Sequence, residues 1–405
     1  MRVFITGTGL VNGAGSGVNR LMDALDRGIS RVGVLSDPRL SDRPYGIGAE
    51  ALDFDPLSVK PAHEVRHLDR FILLALGAAQ EALTQAGLEA REDTLSPFGV
   101  FAGTALGGVR AFWDDGLAFQ TSGRISPFFL PKFIPNMAAT TLAIDLGCVG
   151  PNLTYVTACA ASANALGEAF HAVREGRIPG AVVLGTETLF VPPVMAGLAS
   201  ARALSTRRDD PGTAARPFSR GRDGMVMGEG AAAIVLESED LAAKRGSTPL
   251  AEVIGYGAGS DAHHPTAPHP QGDGAYRAMA DALVDAGILP GDVDYINAHG
   301  TSTPAGDLAE SRAMSRLFGE GLPPVGSIKG TVGHLMGAAG ATEAIVCVEA
   351  MRRGVLPPSV NYLEPDPEID LPIVTKPLPG SYRVSLSNSF GFGGQNASVV
   401  LRRID

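Results

Sequence analysis

The residues of this sequence best suited to chemistry are one cysteine, two histidines and a lysine with a nearby glutamate: Cys159, His299, His334, Lys329 and Glu343. Cys159 follows the β-rich run 153–157 and precedes a pattern in which Ala163, Leu166, Phe170 and Val173 share one helical face. That places the thiol at a strand-to-helix turn, where unpaired N–H groups favour the thiolate. An inert buried cysteine is the ordinary alternative. His299 follows the strand 293–297 and opens the loop 300–304, and His334 stands just before the helix 340–351. Both therefore sit at strand ends, where ligands collect in α/β sheets. A satisfied loop histidine explains either one alone, but two in matching settings beside a thiol point to a single site. Only five of the 33 basic residues are lysines, and Lys329 ends the strand 325–328 in a glycine-rich loop. Glu343, on the helix that follows, is placed to pair with it. The glycine-rich run 388–394 follows a strand ending at Leu386. It is read either as an oxyanion donor with an aromatic gate or as a plain hairpin.

The elements that must carry these groups repeat in order. The run 3–9 is echoed by 252–257, and 99–101 with Gly103-Thr104 by 293–296 with Gly300-Thr301. Strand 153–157 with the helix from Ala160 is echoed by strand 325–328 with the helix from Ala338, and 228–236 by 393–401. Repetition in one order favours a duplication dividing near residue 250, where 244–249 is polar and broken by Gly and Pro. The half 1–250 then carries the thiol and the half 251–405 both histidines. Short apolar strands alternating with Ala-rich helices indicate the α/β class. The aromatic, proline-bearing segment 113–135 shows no clear period and is expected as a packed loop or interface element.

With 405 residues, 45% apolar and 19% charged, and a mean hydropathy of +0.12, the chain is that of a compact globular protein. Its apolar stretches fall short of the roughly 20 residues of a membrane span, and residues 1–7 lead into Gly and Asn before a signal core can form. A cytoplasmic location is expected. The net charge of −10 without a basic stripe argues against nucleic acid, and Cys148, Cys159 and Cys347 are expected as reduced thiols. His263, His264 and His269 lie near Asp261, but among prolines and without zinc-ligand spacing. Neither 7–17 nor 103–108 matches a phosphate-binding loop. No metal or nucleotide is expected.

Four motifs make the chain recognisable: 157–162, 297–307, 329–340 and 388–396, accompanied by Arg216-Pro217-Phe218 and Arg222-Asp223-Gly224. Together they resemble the elongating β-ketoacyl-[acyl carrier protein] synthases of bacterial type II fatty acid and polyketide systems, over essentially the whole chain. The resemblance implies a thiolase fold, an αβαβα five-layer sandwich of two duplicated halves, usually a homodimer. It also implies a decarboxylative condensation. Cys159 takes an acyl chain from the phosphopantetheine thiol of a carrier protein, with the N–H groups of Cys159 and Phe392 as oxyanion donors. His299 and His334 then promote loss of the malonyl carboxylate, supported by Lys329 and Glu343. No cofactor is needed beyond the phosphopantetheine that arrives on the carrier.

By the same resemblance, Leu106, Phe129, Leu130, Met137, Leu198 and Phe392 line or gate an acyl channel, some of them from the partner subunit. Thr301, Thr303 and Phe390 belong to the substrate-binding motifs. His264 and Thr266 fall in a second gate near the carrier's approach. Arg66, Arg124 and Arg207 are candidates for a basic patch facing the acidic carrier, while His63 and His67 stand where family members often have Lys or Arg. A thiolase would carry a second active cysteine near the C-terminal glycine loop, yet none follows Cys347. An initiating synthase would pair one His with an Asn, and a chain-length factor would lack the nucleophile. A polyketide ketosynthase subunit partnered by a chain-length factor remains open. A cysteine hydrolase would explain one Cys–His pair but neither the second His nor the duplication.

Overall fold

The computed structural model describes residues 1–90 and 93–405. In chain order its main strands are β1 (Val3–Asn12), β2 (Gly99–Gly103), β3 (Asn152–Tyr155), β4 (Gly180–Glu187), β5 (Gly230–Ser238), β6 (Ala251–Ser260), β7 (Tyr295–Asn297), β8 (Val325–Gly326), β9 (Val384–Gly391) and β10 (Gln395–Arg403). The helices that cover them are α1 (Arg70–Ala86), α2 (Val109–Ser122), α3 (Phe129–Phe133), α4 (Met137–Leu146), α5 (Ala161–Arg174), α6 (Asp273–Ala286), α7 (Pro304–Phe318) and α8 (Ala339–Arg353).

The sheet runs β8-β7-β9-β10-β6-β1-β5-β4-β2-β3. Read outward from the central β6–β1 pair, each strand of the first half stands opposite the strand five later in the chain. The two halves join where β1 and β6 pair antiparallel, with Val3 opposite Val253 and Ile5 opposite Ala251.

Strands buried on both faces read as continuous apolar runs, and the alternation of side chains divides them between two cores. Phe101, Val183, Ile234 and Leu236 point into a central core shared with α5 and α8, which also receives Tyr295, Val399 and Leu401 from the second half. Val100, Val182, Leu184 and Val235 point the other way, under α1 and α4. Ile296, Leu386 and Val400 face α6 and α7. The layers are thus helix, sheet, helix, sheet, helix.

Close approach in the middle layer is made possible by glycine. A Cβ on Gly103 would lie 2.2 Å from the backbone N of Ser162, and one on Gly340 would lie 2.7 Å from Ala163 Cβ. The first contact seats the start of α5 on the end of β2, and the second crosses α8 over α5.

Two sequence expectations are corrected. The segment 113–135 is largely helical, in α2 and α3. Only Ala111 of α2 is buried, so no core-facing stripe betrays the helix. The strand expected to end at Leu386 continues through Phe390, because Asn388 is satisfied inside the sheet by Ser398 Oγ at 2.8 Å. Strands β3 and β7 are also shorter than read, at 152–155 and 295–297.

Gly103→Ala is expected to cost about 1–3 kcal/mol of stability, because the methyl group meets backbone that cannot rotate aside. Urea unfolding checks this, and an unchanged midpoint would show that the α5 start tolerates displacement.

Candidate functional site

The chain leaves β3, turns through Ala158 at φ 50°, and makes one 3-10 turn, Ala158–Ala160, before α5 begins at Ala161. A left-handed alanine costs roughly 1–2 kcal/mol, so this turn must be held by its surroundings. Thr157 Oγ1 donates to Asn164 Oδ1 at 2.6 Å, and Asn164 Nδ2 donates to Tyr256 Oη at 2.7 Å. The relay ties the cysteine turn to β6 of the other half. His334 is fixed through its backbone, its N–H donating to Val226 O at 2.7 Å and its carbonyl accepting from Gly228 at 2.9 Å. The loop of His299 is held by Glu310 on α7, whose carboxylate accepts from the N–H groups of His299 and Gly300, each at 2.8 Å.

These elements bring the groups singled out in the sequence together. His334 Nε2 lies 3.0 Å from Cys159 Sγ, and the His299 and His334 rings stand edge-on, 5.2 Å apart. Met336 N–H donates to His334 Nδ1 at 3.3 Å. A neutral imidazole that accepts at Nδ1 carries its proton on Nε2, so His334 presents a donor to the sulfur side of the site. Lys329 Nζ donates to both Glu343 Oε1 and the carbonyl of His299, all buried. Lys329 lies in a helical turn, Lys329–Val332, where a loop was expected.

Burial dominates the electrostatics. It holds both imidazoles well below the usual histidine range, and the Lys329 ammonium lowers them further. His299 and His334 are therefore neutral at pH 7. Burial pushes Glu343 up to about 7 against the pull of Lys329. It also pushes the Cys159 thiol up to about 12, opposed by Lys329 and by the backbone N–H groups of Phe392 and Cys159 that point at the sulfur. The expected resting thiolate is thus corrected. The helix proper starts two residues after Cys159, and burial of the sulfur outweighs the donors aimed at it.

Cys159, His299 and His334 have donor atoms within 4.8 Å of one another, a spacing that could suggest a metal ion. The tautomer speaks against it. Ligation by His334 Nε2 would move the proton to Nδ1, against the Met336 N–H. The set is better suited to hydrogen-bonding an anion.

Two cavities meet at half-buried Phe392. A cavity of about 350 Å³ reaches Cys159, His299 and His334 from the surface past Thr301, Thr303 and Thr266, with Phe390 in its wall. Leu106, Leu189, Val194, Leu198 and Met336 line an apolar cavity of about 400 Å³ on the other side. Phe129, Leu130 and Met137 line neither. Leu130 is 57% exposed on the outer face, and Met137 packs on the core beneath α1. Arg66 and Arg124 are surface residues. Arg207 is half-buried and donates to Gly221 O at 3.2 Å. Arg202, not singled out in the sequence, lines the entrance instead.

Glu310 and Met336, whose Sδ lies 3.6 Å from Cys159 Sγ, were also missed. For Glu310 the signal was present, a carboxylate on the α7 face that buries Ala309, Ala313 and Met314.

Residues 1–242 match the family described as β-ketoacyl synthase, N-terminal domain, and residues 250–363 match its C-terminal domain. A curated relative from Synechocystis, 3-oxoacyl-[acyl-carrier-protein] synthase 2, is 42% identical over 99% of this chain and 98% of its own. Among solved structures, a β-ketoacyl synthase from Burkholderia phymatum superposes with a TM-score of 0.92 at 34% identity, covering 100% of both chains. A type II polyketide ketosynthase, solved in complex with its acyl carrier protein, superposes at 0.91 with 29% identity, covering 100% of this chain and 99% of that one. The thiolase fold follows from these likenesses and from the five layers.

Imidazoles held this low should stay neutral as pH falls through the ordinary histidine value of about 6.5. Nitrogen NMR of labelled histidines should show His299 and His334 unprotonated at pH 6, and a midpoint near 6.5 for either would mean that water reaches it.

Proposed function

This chain belongs to the β-ketoacyl synthase family, and from that premise we propose that it condenses an acyl thioester with a malonyl thioester, both delivered on an acyl carrier protein. The observation that carries the reading is a buried thiol 3.0 Å from a histidine nitrogen that holds its proton, with a second neutral histidine beside it.

In the first step Cys159 sulfur attacks the acyl carbon. The carrier's C–S bond breaks, and the thiol proton leaves with the carrier as its free thiol. The N–H groups of Cys159 and Phe392 are placed to stabilise the oxyanion that forms between these events. In the second step malonyl-carrier enters past Thr301 and Thr303 and loses its carboxylate as carbon dioxide. The electron pair of the broken C–C bond becomes an enolate, whose oxygen accepts hydrogen bonds from His299 and His334. Neutral donors suit this task, since an imidazolium would bind the carboxylate it must release. The enolate carbon attacks the acyl group, the C–S bond to Cys159 breaks, and the pair returns to sulfur, which takes up a proton from solvent to restore the thiol. The product is a 3-oxoacyl-carrier. Lys329, paired with Glu343, adds to burial in keeping both rings neutral and holds the His299 carbonyl. The reaction as written uses no metal or nucleotide.

Elongation of fatty acyl chains in the cytoplasm is the preferred setting, given 42% identity to the Synechocystis synthase against 29% to the polyketide ketosynthase. Among the described residues no helix is long and apolar enough to cross a membrane. The carrier's acidic surface would meet Arg66, Arg124 and Arg202, with Thr266 at the mouth. We also read the protein as a homodimer. The outermost strand β3 leaves Leu153 exposed, Val156 just after it is exposed too, and so are Phe128 and Leu130 around the start of α3, apolar surface that a second copy would cover. A partner copy could then supply Phe129, Leu130 and Met137 to the acyl channel.

Cys159→Ala should abolish acyl transfer from carrier to enzyme, with Cys148→Ala and Cys347→Ala retaining it. Radiolabel on the Cys159 variant would remove the nucleophile assignment. His299→Ala and His334→Ala should still acylate but lose about a hundredfold or more in malonyl-carrier decarboxylation, and wild-type decarboxylation in both would end the two-histidine mechanism. Sedimentation should give about twice 41.8 kDa, whereas a fully active monomer would refute the cross-subunit channel.

A further inference from the structure

Glu187 ends the apolar strand β4 as a fully buried carboxylate, and no cation of the described residues is among its hydrogen-bond partners. Its Oε2 accepts from the N–H groups of Ala105 and, at 3.2 Å, Gly337. Its Oε1 accepts from Thr104 Oγ1 at 3.2 Å and Leu106 N–H at 3.3 Å. One side chain thus bridges two loops that lie far apart in sequence. The first carries Leu106 after β2. The second carries Met336, whose N–H orients His334 and whose sulfur touches Cys159. The loops are pressed together at this point, since a Cβ on Gly337 would lie 2.5 Å from Thr104 Cα and 2.7 Å from the Glu187 carboxylate. Leu106 and Met336 both line the apolar cavity beside Cys159.

We infer that Glu187 is a positioning residue that sets acyl-chain selectivity: its buried carboxylate clamps the Leu106 wall of the acyl cavity to the Met336 wall. The inference rests on the condensing function proposed above and adds the device by which the cavity keeps its depth. A buried carboxylate satisfied by fixed N–H donors makes a rigid clamp, because releasing either loop leaves charge unpaired in a dry interior. Leu106, 41% exposed, has little other packing to hold it.

The test uses Glu187→Gln, which keeps the shape but can accept through one oxygen only, so that either the Leu106 N–H or the Ala105 and Gly337 N–H groups lose their acceptor and the clamp loosens. A second variant, Thr104→Val, removes one donor and leaves the backbone intact. Loading onto Cys159 is measured for butyryl- and palmitoyl-carrier, alongside circular dichroism to confirm the fold.

The palmitoyl-to-butyryl ratio of kcat/KM should rise about tenfold in Glu187→Gln, chiefly through KM, and less in Thr104→Val. A merely structural glutamate would lower both substrates by the same factor. An unchanged or reduced ratio in a folded variant overturns the inference, and if Glu187→Gln fails to fold, an unchanged ratio in Thr104→Val does so. Should the unsubstituted enzyme load neither chain, the condensing function falls and takes this inference with it. A loading wild type with an unshifted variant ratio sinks the inference alone.

Discussion

The structure depends on one close contact, that of α5 with α8 in the middle layer, where Gly340 meets Ala163 with no room for a side chain. Each helix begins at a turn that carries reactive groups, so the approach of the two N-termini is also the approach of Cys159 to His334. Glycine and alanine at the crossing let backbones come nearer than larger residues allow. The 3.0 Å separation between sulfur and imidazole follows from that packing.

Enclosure by that packing then sets the electrostatics. A buried ammonium beside two histidines would be prohibitive alone, and the Lys329–Glu343 pair makes it tolerable by placing an opposite charge in direct contact. What the rings feel is Lys329 on one side and low polarity all round, and both effects favour the neutral form. The same burial works against the thiolate. Thiol ionisation therefore depends on donors aimed at the sulfur, the N–H groups of Cys159 and Phe392 and the Nε2 proton of His334. The site suits anions that form during reaction better than anions at rest.

Much of this was legible in the sequence, for particular reasons. Cys159 and His299 closely follow strands β3 and β7, and strand ends converge in α/β sheets, while His334 stands beyond the helical turn Lys329–Val332 that follows β8. The Lys329–Glu343 pair was legible because lysine is rare in this chain and Glu343 lies on the next helix. Helix α2 was not, since Phe112, Leu117 and Phe119 lie on its exposed surface and no periodic stripe marks the core side. The end of β9 was hidden by Asn388 and Ser389, whose polarity suggests a loop until it is known that Ser398 satisfies Asn388 inside the sheet and that Ser389 pairs there with Ala397 through its backbone. The thiol's raised pKa depends on dryness, a property of the folded interior. Glu310 and Glu187 show a further limit. A carboxylate within an apolar element signals burial, but its partners are backbone N–H groups, of the preceding loop for Glu310 and of distant loops for Glu187, which leave no trace in residue type.

The repeat explains why the catalytic groups are divided as they are. The 3-10 turn Ala158–Ala160 before α5 has a counterpart in Met336–Ala338 before α8, and each opens on a left-handed residue, Ala158 at φ 50° and Met336 at φ 46°. In that register Cys159 corresponds to Gly337. A cysteine could not stand at 337, because a Cβ there would strike Thr104 Cα, on the very loop that Glu187 draws in. The first half can hold the thiol because Cys159 lines the cavity that also reaches His299 and His334. Two copies of one turn thus took different work. One kept space for a side chain, the Cys159 thiol proposed as nucleophile, and the other gave up its side chain so that its neighbours, His334 and Met336, could be pressed against the first.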